Sequence, residues 1–305
     1  VSTVDRSEPI VDAHHHLWDL RANRYPWLAR GADHDRGWGD WSALCRDYPV
    51  SDFVADSANQ NLQGSVHVQA NVDPVDPVAE TAWLERVAAQ PGARGLPSAI
   101  VGYADLCRPD VGAWLERHAA HPRMRGIRQV LNRHPDPKLN RADRDYLADD
   151  AWRANLGLLA RRGWSFDAQL YWQQMPALAD VARRWPDITF VVGHAGMPAE
   201  RSRDGLAGWE AGMRLLATFP NVVVKLCGYG MTDLHWSLDS IRPFVLKPIE
   251  WFGPGRAMFG SNFPVDRLMA GYDRLWDAYR TLVADFSPDE RAMLLAGTAR
   301  RIYRI

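Results

Sequence analysis

Short runs of apolar and β-branched residues recur along the chain, and the stretches between them carry helical spacing. Eight such runs stand out: residues 10–16 (IVDAHHH), 65–70 (SVHVQA), 98–103 (SAIVGY), 126–131 (GIRQVL), 165–170 (SFDAQL), 188–194 (ITFVVGH), 222–227 (VVVKLC) and 257–262 (AMFGSN). The intervening segments bear helix punctuation. Pro77 opens a helix through Glu80, Trp83, Leu84 and Val87, which Pro91-Gly92 stops. Asp150 is placed to cap a helix through Trp152, Leu156 and Leu159 that ends at Gly163, and Ser287-Pro288 with Glu290 reads as a capping box. Strands alternating with helices pair in parallel, because parallel neighbours need a long return path. Eight units predict one closed (β/α)8 barrel over residues 1–305. Two long loops interrupt the regularity at about residues 17–50 and 132–146, and loops of that size commonly wall a site.

Composition narrows the classes. The chain has 305 residues, 47% hydrophobic and 24% charged, which supports one large core and excludes a disordered or low-complexity protein. Lys plus Arg number 36 against 37 for Asp plus Glu, so there is no electrostatic footprint for nucleic acid or an anionic membrane. No apolar stretch is long enough to span a bilayer, and the opening VSTVDRSEP lacks the apolar core of a secretory signal. Cys45, Cys107 and Cys227 are too few and too scattered for a disulfide framework, and none sits in a CxxC pair. The expected setting is the cytoplasm, the expected partner a small molecule, and a homo-oligomer is left open. Of the 14 tryptophans several lie in polar segments such as RGWGDW (residues 36–41), where they pack at the rim or wall a cleft.

Chemistry-bearing residues gather at strand ends. In a regular strand His14 and His16 project together, with Ala13 and His15 on the opposite side. They sit at the carboxyl end of the first strand, the face on which barrel enzymes place their chemistry, and two adjacent imidazoles suit a divalent metal or a proton transfer. An affinity tag is a poor alternative, because Asp12 and an apolar run lead directly into the triplet. His194 ends the sixth run and is followed by Ala195-Gly196, whose small size allows close approach. Lys225, inside VVVKLC, either points into the barrel mouth and is paired or used there, or reaches solvent at a strand edge. Arg128 suits capture of a carboxylate or hydroxylated ligand, or an internal salt bridge. Asp167 and Gln169 share one face of the fifth strand and either bind substrate hydroxyls or complete a polar layer. His67 and Gln69 give a weaker version of the same pattern. The eighth run supplies Asn262 and, four residues on, Asp266.

The succession DAHHHLWD, YPWL, HVQA, GIRQVL, VVGHAG, VVVKLCG and FGSNFPVD resembles the amidohydrolase superfamily, from Val11 to the terminal ARRIYRI. Within it the chain is most similar to the branch of sugar-lactone and pyrone-dicarboxylate lactonases, the L-fuconolactonase-like amidohydrolase 2 proteins. The resemblance implies a distorted barrel that opens a lactone by water attack. His14, His16 and His194 match the family's strand-1 pair and strand-6 histidine, and are the candidate ligands for a metal. The strand-8 position that is normally an Asp is Asn262 here. An amide lacks the basicity of a carboxylate, so the base is expected to be Asp266 or His194, with His14, His16 and Lys225 stabilising the oxyanion. Arg128, Gln69, Asp167 and Trp18 are the expected substrate contacts. Three imidazoles and an amide compensate a divalent charge less well than a set with a carboxylate, so the expected cofactor is either none or one divalent cation, zinc first. The alternatives are a metal-dependent decarboxylase or C–C hydrolase on the same barrel, and a barrel that binds its ligand without turnover.

Overall fold

The computed structural model describes residues 4–29, 32 and 39–305. All eight expected strands form: β1 (Ile10–His15), β2 (Leu62–Val68), β3 (Ala99–Gly102), β4 (Met124–Val130), β5 (Ser165–Gln169), β6 (Phe190–Val192), β7 (Val222–Leu226) and β8 (Ala257–Phe259). They run parallel in sequence order, as the (β/α)8 barrel requires. The chain just past β8 closes the ring. Asn262 N donates to His14 O at 2.7 Å, His16 N donates to Phe263 O at 2.7 Å, and His15 bridges Phe263 in parallel. Gly260 permits this contact, since a Cβ there would lie 2.8 Å from the backbone nitrogen of His14.

Helices begin and end where local chemistry allows. Pro77 precedes the helix Val78–Ala88, and Ser287 with Glu290 forms the reciprocal capping box of Pro288–Ala292. The cap of the helix Asp150–Asn155 is Asp149 rather than Asp150: its carboxylate accepts from Trp152 N at 2.9 Å. Asp150 is one residue too far along, because a capping side chain must reach the amide two or three positions ahead.

The barrel interior is filled by Val11, Ala13, Val66, Val68, Ala99, Val101, Val191, Val223 and Met258, and Ala296, Ala299 and Tyr303 from the C-terminal segment pack against them. Ala13 therefore shares the interior with Val11, two residues before it, and not the side of His15 on which alternation with His14 and His16 put it. The cause is an irregularity in β1: Asp12 pairs with Ser65 and His15 with His67, so three residues of β1 advance against two of β2. The extra residue resets the alternation. Asp12, fully buried, secures it by accepting from His14 N at 3.1 Å, Ser261 N at 2.8 Å and the Tyr272 hydroxyl at 3.0 Å. Beyond it His15 turns outward and stacks on Phe53, while the rings of His14 and His16 meet on the other side, with His16 on the pocket wall and His14 behind it.

Both long loops wall that mouth. Residues 36–38 of RGWGDW, with Trp38, lie outside the described residues; Trp41 lies on the pocket wall. Among the described residues no helix is long and apolar enough to cross a membrane.

Candidate active site

A pocket of about 470 Å³ opens at the carboxyl ends of the strands. His16, His194, Arg128, Gln69, Gln169 and Asn262 line its floor and sides, and Trp27, Trp41 and Tyr146 contribute aromatic wall. The rings of His14 and His16 lie 5.0 Å apart by centroid, and those of His14 and His194 4.7 Å apart. The imidazoles of the first and sixth strands thus converge on one small volume.

The three rings are held uncharged. Burial is the main cause, reinforced at all three by the Arg128 cation, at His14 and His194 by Lys225, and at His14 by the His194 ring; it lowers His194 to a pKa of about 3 and sets His14 and His16 well below the usual range. The His16 Nδ1 lies 2.7 Å from Val68 O. A carbonyl only accepts, so Nδ1 carries the proton and the neutral ring keeps an unprotonated, basic Nε2. His14 is different: both of its ring nitrogens are buried without a hydrogen-bond partner.

His194 is presented by a left-handed turn, with φ of +53° at His194, +52° at Ala195 and +48° at Met197. Such angles are unfavourable for residues with a Cβ and persist only where the surroundings hold them. Here Trp209 Nε1 donates to Ala195 O at 2.8 Å, and Met197 N donates to His194 O at 2.8 Å. The ring itself lies with Nδ1 3.4 Å from the sulfur of Cys227. Gly228 makes room for it: at φ +71° its missing Cβ would fall 2.3 Å from that nitrogen.

The other expected residues divide into those that reach the pocket and those that act behind it. Asn262 reaches it, in a left-handed conformation at φ +56°, and its Nδ2 donates to Asp266 Oδ1 at 2.9 Å. Asp266 is almost fully buried and does not line the pocket; burial raises its pKa to about 7, and its Oδ2 has no partner. Lys225 is also absent from the wall. It forms a buried ion pair with Asp167 at 2.7 Å, and Asp167 accepts further from the Tyr303 hydroxyl at 2.9 Å and Ser165 Oγ at 3.1 Å. This pair forms a polar layer within the barrel, and neither member lines the pocket. Trp18 is buried behind Trp27, ring centroids 5.5 Å apart, with Nε1 donating to Arg46 O. Trp27 is the pocket-facing indole.

Arg128 is 5% exposed and its guanidinium donates to Gln169 Oε1 and to Gln69 O, both at 2.6 Å. Burial lowers its pKa to about 10, so it remains a cation at neutral pH. Asp167 is already paired with Lys225. Glu80 is held by Ala70 N and the Tyr25 hydroxyl, both at 3.1 Å, and burial raises its pKa to about 7. The pocket therefore presents a positive charge without a carboxylate bound to it, suited to hydroxyl or carbonyl oxygens and to anions.

Cys227 was not singled out by sequence reasoning. It is fully buried, and its sulfur, a ring nitrogen of His14 and one of His194 lie within 4.8 Å of one another. Among the described residues this is the group of His, Cys, Asp and Glu donors that could hold a metal; His16 is not in it. The signal was present in β7: period-two alternation puts Cys227 on the same side as Lys225.

The amidohydrolase family matches residues 11–305, and the chain belongs to it. It is 42% identical over 297 residues to the uncharacterized protein y4mH of Sinorhizobium fredii, covering 97% of this chain and 98% of that one. It is 30% identical over 307 residues to the L-fucono-1,5-lactonase of Burkholderia multivorans, covering 97% of this chain and 96% of that enzyme. A crystal structure of an amidohydrolase from Burkholderia multivorans with bound zinc superposes with a TM-score of 0.79 at 29% identity, covering 97% and 99% of the two chains.

The donor set here fits such an ion. Buried polar atoms are nearly always partnered; His14 and His15 both have two unpartnered ring nitrogens, but His14 alone lies beside His194 and Cys227, where a bound cation would partner one of its nitrogens.

Proposed function

We propose that this protein hydrolyses a lactone, and that the substrate is a hydroxylated lactone of the sugar type. The observation that carries the reading is the convergence of uncharged imidazoles from β1 and β6 on a pocket that also holds the Arg128 cation. The likeness to L-fucono-1,5-lactonase over nearly the whole chain supports the substrate class.

His16 takes the proton of the attacking water on its bare Nε2, and the new C–O bond forms at the lactone carbonyl. The tetrahedral oxyanion is met by hydrogen-bond donors at the pocket floor. Collapse breaks the ring C–O bond, and the departing alkoxide recovers the proton from the His16 imidazolium. Arg128 and Gln169 hold ring hydroxyls. Trp27 and Trp41 cover the apolar face of the sugar and limit the entry of further water. His14, His194 and Cys227 are the residues that would hold a divalent ion, which when bound polarises a carbonyl and lowers the pKa of a bound water. Asp266 does not touch substrate; it positions the Asn262 amide.

A panel of sugar lactones and carboxylated aromatic-catabolic lactones, followed by acid release with and without chelator, tests the assignment. Turnover of one or more sugar lactones is expected. Binding without turnover, or turnover confined to carboxylated lactones, contradicts it.

A further inference from the structure

We propose that Cys227 is a thiolate ligand that, with His14 and His194, holds one thiophilic divalent ion such as zinc or cobalt just behind the pocket wall. The geometry is close to what such an ion needs. Donors around a tetrahedral zinc stand roughly 3.3–3.6 Å apart, given bond lengths of about 2.0–2.3 Å. The Cys227 sulfur is 3.4 Å from His194 Nδ1, and the three donor atoms fall within 4.8 Å of one another.

Two further observations point to a ligand rather than to packing. His14 is buried with neither ring nitrogen partnered; His15 shares that state but stacks on Phe53, whereas His14 lies against a second imidazole and a thiol. Gly228, immediately after the cysteine, leaves room for the His194 ring where a Cβ would lie 2.3 Å from Nδ1. The backbone is thus shaped to keep imidazole and sulfur together.

Charge gives the cysteine its purpose. Just past the eighth strand the pocket wall carries Asn262, an uncharged amide whose Nδ2 is engaged by Asp266. A set of neutral imidazoles leaves both charges of the ion uncompensated beside the Arg128 cation. A thiolate removes one of them. On binding, the S–H bond breaks, the sulfur lone pair forms the bond to the metal, and the proton leaves to solvent. Sulfur also selects zinc and cobalt over magnesium and calcium. Cys227 and His14 are both absent from the pocket wall, so the thiol has no path to act as a nucleophile on substrate, whereas His194 lines the pocket and links the ion to it. The inference does not depend on the lactone reading, because metal binding is measured without turnover.

Chelator-stripped protein is titrated with cobalt(II) and followed by absorption and by metal analysis. One equivalent is expected to bind with a near-ultraviolet thiolate-to-cobalt charge-transfer band, which zinc bleaches and magnesium does not. Cys227→Ser is expected to lose the band and to bind cobalt at least about 10-fold more weakly. A Cys45→Ser/Cys107→Ser protein is expected to keep both. Failure to bind cobalt, a band unchanged in Cys227→Ser, or a band lost with Cys45 and Cys107 overturns the proposal. Should Cys227→Ser not fold, X-ray absorption of the wild-type zinc complex decides: a sulfur neighbour at about 2.3 Å supports it, and a shell of nitrogen and oxygen alone overturns it.

Discussion

Replacing His16 by Ala lowers kcat for lactone hydrolysis by about 10²- to 10⁴-fold, the range expected for loss of a positioned proton acceptor. The side chain is nearly buried, and its recorded hydrogen bond is Nδ1 to Val68 O, so its removal leaves the interior of the barrel below it intact. His16→Gln sharpens the test. The Gln amide can donate to Val68 O and fill much of the imidazole volume, but it offers no basic nitrogen. Steady-state kinetics on both variants, with circular dichroism to verify the fold, are expected to show similar losses. Full activity in His16→Gln would show that the ring serves only as a spacer.

The second large effect is on stability. Lys225 is 0% exposed and its ammonium meets Asp167 at 2.7 Å inside the barrel. Lys225→Met leaves the Asp167 carboxylate buried without its counter-charge and is expected to destabilise the fold by about 3–5 kcal/mol. Asp167→Asn added to it removes the stranded charge while keeping an acceptor for the Tyr303 hydroxyl, so the double variant is expected to recover most of the loss. Urea unfolding of the wild type, the single and the double variant measures this. Equal destabilisation in the single and double variants would mean that the pair is not coupled.

Parallel barrel strands are buried on both faces and read as continuous apolar runs, which is why all eight were legible in the sequence. The same simplicity failed at β1. Strict alternation puts Ala13 on the side of His15, but an added residue between Asp12 and His15 separates the two, and nothing in the letters announces that shift. His14 and His16 were paired by a two-residue spacing that the structure keeps, because the added residue falls before His15. The depth of side chains was less legible than their side. Lys225 and Asp167 were open to either a structural or a ligand-binding role, and the structure pairs them below the pocket. Asp266 was a candidate base, but the short turn after Asn262 leaves the amide on the wall and the carboxylate behind it. Trp18 and Trp27 belong to one irregular loop, where no period decides which indole faces inward.

The dependence of kcat/KM on pH separates the two candidate bases most directly. Burial holds His194 to a pKa of about 3 and His16 well below the usual imidazole range, so both rings keep their lone pairs across mildly acidic pH. Asp266, raised to about 7, gains a proton in the same interval, and its unpartnered Oδ2 can carry it while Oδ1 still accepts from Asn262. Reaction through uncharged imidazole predicts a profile nearly flat between about pH 5 and 8. With chelator present to exclude a metal-bound water, a tenfold fall per pH unit below a midpoint near 7 would contradict it and point to the Asp266 carboxylate.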